Sequence, residues 1–160
     1  MLKIIGLYGA AETGKTTTLN TFASDLEEKY DSKPLKQIQS ADLSLDNRYC
    51  FRIDREGKLS YVVVTTFGDT FFTEQDNRVF LEKSVPSIET SDCYWFVATR
   101  TKGHTCEYIE SIAKQYSAEL VWITKGYVYD FDKPVFEKIK NMVIQQASDS
   151  LMSILDSYIQ

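Results

Sequence analysis

Near the start of the chain, Gly9-Ala10-Ala11-Glu12-Thr13-Gly14-Lys15-Thr16 sets two glycines, an ammonium and a hydroxyl in the spacing G-x-x-x-x-G-K-T. Each residue type has a chemical use there. Glycine tolerates backbone conformations and close approaches that a Cβ would obstruct, so successive amide N–H groups can turn toward one anion at a helix N-terminus. Lys15 would reach the β- and γ-phosphates of a bound chain, and the Thr16 hydroxyl would ligate a Mg²⁺ bridging them. Gly9, Ala10, Ala11, Glu12, Thr13, Gly14, Lys15, Thr16 and Thr17 are the expected nucleotide-binding residues, with Thr16 also a metal ligand.

Further chemistry is expected just after other strands, because ligands of parallel α/β sheets sit at the carboxyl ends of the strands. Thr66-Phe67-Gly68-Asp69-Thr70 follows an apolar run and places a carboxylate near the expected metal. Asp69 is the second candidate Mg²⁺ ligand, since a hard cation takes carboxylate and water oxygens. A second run ends in Thr99-Arg100-Thr101-Lys102-Gly103-His104. Arg100 and Lys102 are candidates to stabilise charge that builds on the terminal phosphate during transfer, and His104 is a weaker one. Together with Lys15 and Asp69 they form the candidate catalytic set. Glu12, Asp42 and Asp46 are further carboxylates that could activate a nucleophile, with nothing in the sequence to choose among them.

These residues must be held by surrounding elements. Leu2 to Tyr8 has the length and apolar density of a buried parallel strand, and Leu19, Phe22, Ala23, Leu26 and Tyr30 recur at helical spacing behind the glycine-rich turn. Asn47 to Ile53 and Lys58 to Thr66 form an expected hairpin about Asp54-Arg55-Glu56-Gly57. Tyr61-Val62-Val63-Val64-Thr65, apolar on both faces, is an interior strand expected beside the first one. A helix capped by Thr73 runs to about Ser84 and stops before Val85-Pro86. Cys93 to Ala98 is another buried strand, Cys106, Ile109, Ala113 and Tyr116 mark a helix, and Leu120 to Thr124 a last strand. From Pro134 onward, Phe136, Ile139, Val143, Ala147, Leu151, Ile154 and Tyr158 make a long amphipathic helix expected to cover one face of the sheet; a dimer through it is not favoured. Asp31 to Asp46 is a polar connection with a short strand around Leu35 to Gln39. Alternating strands and helices predict a three-layer α/β domain: a mostly parallel sheet with one antiparallel hairpin strand and helices on both faces.

Composition bounds the rest. The chain has 160 residues, 43% of them hydrophobic, enough for one core and one domain. A net charge of −5 and a pI near 4.9 argue against direct nucleic-acid binding. No apolar run has membrane-spanning length, and Met1-Leu2-Lys3-Ile4 leads straight into a strand, so a cytoplasmic setting is expected. Cys50, Cys93 and Cys106 lack paired metal-ligand spacing and are expected as reduced thiols.

With the loop, Lys15, Thr16 and this element order, the chain resembles the P-loop NTPase superfamily. The order resembles that of small GTPases, but their D-x-x-G motif would fall on Thr65-Thr66-Phe67-Gly68 and their N/T-K-x-D motif on Thr124-Lys125-Gly126-Tyr127. Thr65 and Tyr127 stand where the aspartates would be. Gly14-Lys15-Thr16-Thr17-Thr18 is similar to the signal-recognition and partitioning NTPases, with Ala10 where the latter carry a further lysine. Small-molecule kinases use a lid with paired arginines, and no arginine follows Arg100. The resemblance implies Mg²⁺-dependent binding of a nucleoside triphosphate, ATP rather than GTP, with slow hydrolysis coupled to a protein partner or a conformational switch. A phosphotransferase and a nucleotide sensor without turnover are the alternatives.

Overall fold

The computed structural model of the chain describes residues 1–9, 14–39, 47–66, 71–100, 104–124 and 133–160. The elements are β1 (Leu2–Gly9), α1 (Lys15–Tyr30), β2 (Lys36–Gln39), β3 (Asn47–Arg55), β4 (Lys58–Thr65), α2 (Phe71–Ser84), β5 (Asp92–Arg100), α3 (Thr105–Gln115), β6 (Glu119–Thr124) and α4 (Lys133–Ile159). The six strands form one sheet in the order β2-β3-β4-β5-β1-β6. β4, β5, β1 and β6 are mutually parallel, and β3 is antiparallel to both of its neighbours. It follows that β3 is the one strand of the sheet running against the rest.

Strand periodicity explains why both faces are covered. Along β5, Tyr94, Phe96 and Ala98 point into one core and Cys93, Trp95 and Val97 into the other. A strand buried on both sides is an unbroken apolar run rather than an alternating one. The first core is closed by Leu19, Phe22 and Leu26 of α1 with Leu151, Leu155 and Ile159 of α4. The second is closed by Phe80 and Leu81 of α2 with Ile109 and Ile112 of α3. The result is a helix–sheet–helix arrangement in three layers.

The hairpin forms as its turn residues dictate. Glu56 and Gly57 both have positive φ, 54° and 81°, as a two-residue turn matching strand twist requires, and Asp54 Oδ1 accepts the Gly57 N–H at 3.1 Å. Trp122 of β6 lies against β1 at Gly6, where an added Cβ would come within 2.1 Å of the indole. Here glycine is needed for close approach. α4 packs along α1, where Tyr30 donates to Asp156 at 2.7 Å and Ser148 to Asp25 at 2.5 Å.

One topological expectation is overturned. β4 does not lie beside β1; β5 is inserted between them, paired with β1 on one side and β4 on the other. Both runs are apolar on both faces, so apolarity marks each as interior and leaves their order undecided. α2 also begins at Phe71, two residues ahead of Thr73, which stands in the first turn rather than at the cap. No helix among the described residues is long and apolar enough to cross a membrane.

Candidate phosphate site

β1 ends at Gly9 and α1 begins at Lys15, with Gly14 as the cap at φ 80° and ψ 20°. That is the left-handed region, which glycine enters without a Cβ penalty. Lys15 is 8% exposed, and its Nζ donates to the Gly9 carbonyl at 2.7 Å. The ammonium thus bridges the two ends of the connection, six residues apart. Thr16 Oγ1 donates to the Thr66 carbonyl at 3.2 Å, joining the first turn of α1 to the end of β4. Thr17 is exposed, and its carbonyl accepts the Thr21 hydroxyl at 2.9 Å.

A backbone frame holds Thr66 in place. Its N–H donates to the Asn47 carbonyl at 3.1 Å and its hydroxyl accepts the Asn47 N–H at 3.0 Å. Asn47 Nδ2 donates in turn to Asn20 Oδ1 at 3.0 Å, and the Tyr49 hydroxyl to the same oxygen at 3.1 Å. These bonds fix the starts of α1 and β3 and the end of β4 relative to one another. Thr18, early in α1, is fully buried, and its Oγ1 has no hydrogen-bond partner among the described residues.

Inserting β5 brings its end beside the end of β1: Arg100 stands in register with Gly9. Strand alternation places Arg100 with Phe96 and Ala98 on the α1 side. The β5 end is tied to α3, whose Thr105 hydroxyl accepts the Arg100 N–H at 3.4 Å and whose Cys106 thiol donates to the Arg100 carbonyl at 3.0 Å. Burial pushes the Cys106 thiol up, and the charges of Glu110, Glu74 and Glu107 add to this, against a lowering contact from Thr99. Cys106 is therefore a protonated structural donor and not a thiolate nucleophile. His104 is exposed and 3.0 Å from Glu107. All three cysteines are free, with Cys50 and Cys93 buried.

The structure thus gathers Gly9, Gly14, Lys15, Thr16, Thr66 and Arg100 at the carboxyl edge of the sheet. Ala10, Ala11, Glu12, Thr13, Asp69 and Lys102 lie outside the described residues, as do Asp42 and Asp46. Among the described residues no group of three or more His, Cys, Asp or Glu side chains is placed to hold a metal ion.

Sequence reasoning passed over one residue that the structure brings forward. Glu74, in the first turn of α2, is fully buried. The signal was present: Glu74, Asn77 and Leu81 follow the i, i+3, i+7 spacing of one helix face, and that face is the buried one. Lys15 and Glu74 are the two charged side chains among the described residues that are buried, and both stand in the first turn of a helix that follows a strand.

Comparison of the sequence with protein-family models and with curated proteins finds no match, so this geometry carries the functional argument.

Proposed function

We propose that the chain is a P-loop NTPase: it binds a nucleoside triphosphate with Mg²⁺, ATP in preference to GTP, and hydrolyses it slowly in a cycle coupled to a partner or a conformational switch. The observation that carries the reading is Lys15, a buried ammonium held on the Gly9 carbonyl at the start of a helix capped by a left-handed glycine. A triphosphate at the α1 N-terminus would meet this ammonium and the free amide N–H groups of the helix end, making charge-assisted bonds to both. Arg100, in register with Gly9, supplies a second cation on the same side of the sheet.

The donor set fits Mg²⁺ held mainly by the ligand. Thr16 gives its proton to Thr66, which leaves its oxygen lone pairs available to a cation, and phosphate and water oxygens would supply the other positions. When bound, the ion would draw negative charge from the bridging and terminal phosphate oxygens. Tyr127, where a guanine-reading carboxylate would stand, underlies the preference for ATP.

Calorimetric titration of the wild-type chain tests the reading. ATP with Mg²⁺ is expected to bind, without Mg²⁺ more weakly, and GTP with no large advantage. A GTP preference beyond about 100-fold, equivalent to roughly 3 kcal/mol, would contradict the base assignment.

A further inference from the structure

The two edges of the sheet are built differently. β2, at one edge, is four residues long, follows Pro34 and carries Lys36 and two glutamines. Short length, proline and lysine keep an edge from pairing with another chain. β6, at the other edge, reads Glu119-Leu120-Val121-Trp122-Ile123-Thr124, with no lysine, proline or glycine. Its row of backbone groups away from β1 meets no strand among the described residues.

The composition of β6 is that of an interior strand, because four apolar residues in succession are expected where both faces are covered. In β5, which has a neighbour on each side, Cys93 to Ala98 are all buried. In β6, Leu120 to Ile123 are only partly buried. Ile123 packs against one core and Leu120 and Trp122 against the other, while Val121 belongs to neither among the described residues.

A free row of N–H and C=O groups is answered by an extended strand, and the sequence of β6 suits a second β6. A two-fold axis normal to the sheet makes such a pair antiparallel and keeps each face on its own side. A residue then meets only one that lies an even number of positions from itself. With the axis at Trp122, Trp122 faces its copy, Val121 faces Ile123 on both sides, and Leu120 faces Thr124. Aromatic and β-branched cross-strand pairs are favourable ones. Glu119, the one charged residue of β6, is already answered by Lys3 and Tyr158 of its own chain, and its two copies stand about 20 Å apart. The edge therefore brings no like charges together, although each chain carries a net charge of −5.

We propose that the chain associates with a second copy through antiparallel pairing of β6, which joins the two sheets into one. Symmetric pairing at a single edge closes on itself, so assembly stops at two. The carboxyl edges of the two copies face opposite ways, so neither phosphate site is shared and the dimer forms with or without nucleotide. A contact this short is weak, with a dissociation constant on the order of 10 μM.

Sedimentation of the full chain from about 1 to about 200 μM, with hydrogen exchange at both ends of that range, tests the pairing. Wild type is expected to pass reversibly from monomer to dimer. Amides within residues 119–124 that face the free edge are expected to exchange at least about fivefold more slowly at the high concentration, with those of residues 36–39 unchanged. Val121→Lys sets an ammonium on the edge at a side chain that packs into neither core, and is expected to stay folded and monomeric throughout. Ile38→Lys, at the opposite edge where the side chain is 50% exposed, is expected to dimerise as wild type does. Wild type that remains monomeric at the highest concentration overturns the proposal, as does a dimer in which β6 exchange does not slow, or growth beyond the dimer. A folded Val121→Lys that dimerises like wild type overturns it too, and so does loss of the dimer in Ile38→Lys, which would move the contact to β2. Should Val121→Lys fail to fold, the exchange of wild-type β6 decides.

Discussion

The two ends of the sheet treat charge in opposite ways. At the amino end, Asp92 at the start of β5 meets Lys58 of β4 at 3.3 Å and the α-amino group of Met1 at 3.4 Å, and Lys3 of β1 pairs with Glu119 of β6. Tyr158, near the end of α4, donates to Glu119 at 2.9 Å, and the Lys3 ammonium sits 4.2 Å from its ring centre. Each pair reaches water: Lys58 is 52% and Glu119 49% exposed, with Asp92 and Lys3 partly so. At the carboxyl end, Lys15 is buried with its ammonium on the Gly9 carbonyl, and Glu74 of α2 is buried too. Exposed pairs cost little to form and return about 0–1 kcal/mol each, whereas buried charges cost several kcal/mol and are weak sources of stability. The amino end is tied by exposed pairs; the carboxyl end keeps its charge out of water. Stability and ligand binding should therefore respond to different substitutions.

The largest loss of stability is expected between the two ends. Gly6→Ala would drive a Cβ to 2.1 Å from the Trp122 ring and push the indole off β1. A cost of about 2 kcal/mol is expected, read as a lower urea midpoint with an unchanged slope. ATP affinity of the folded protein should stay near that of wild type, because β1 still ends at Gly9. Loss of binding in a folded Gly6→Ala would show that stability and site are not separable.

Much of this division was legible in the sequence. The glycine-rich turn, Lys15 and Thr16 announced themselves because the chemistry is local: strand, turn and helix follow in one stretch. The hairpin was equally legible, since Asp54 to Gly57 carries its own turn chemistry. What the sequence left open depends on pairing at a distance. β4 and β5 look alike as apolar runs, and only their register with β1 puts Arg100, rather than the β4 end, beside Gly9. Glu74 was passed over because a glutamate in the first turn of a helix is ordinarily a solvated partner of the helix dipole. Only the packing of α2 against the sheet turns that residue inward.

A smaller effect is expected at the amino end. Burial pushes the Asp92 carboxyl up, but hydrogen bonds and charge from Lys58 and the α-amino group outweigh it and hold the carboxyl below its usual value. A depressed carboxyl in the folded state contributes stability that is fully present above the unfolded value, about pH 4, and is lost as pH falls through the folded one. Asp92→Asn should therefore cost less than about 1 kcal/mol at neutral pH, less still in high salt, and nothing at pH values low enough to protonate the wild-type carboxyl. Chemical denaturation across pH and salt checks it, and ATP affinity should not change. A cost that persists unchanged in high salt and acid would mean that the amino end is more than an edge tied by exposed pairs.

The central claim is that the buried ammonium of Lys15 is held for a triphosphate. Titration of Lys15→Ala with ATP and Mg²⁺, beside wild type and with folding verified by circular dichroism, tests it most directly. The account predicts that the wild-type chain binds and that the variant, still folded, loses affinity by about 100-fold or more, since a charge-assisted contact of this kind is worth up to about 3 kcal/mol. A folded Lys15→Ala that binds ATP as tightly as wild type would contradict it.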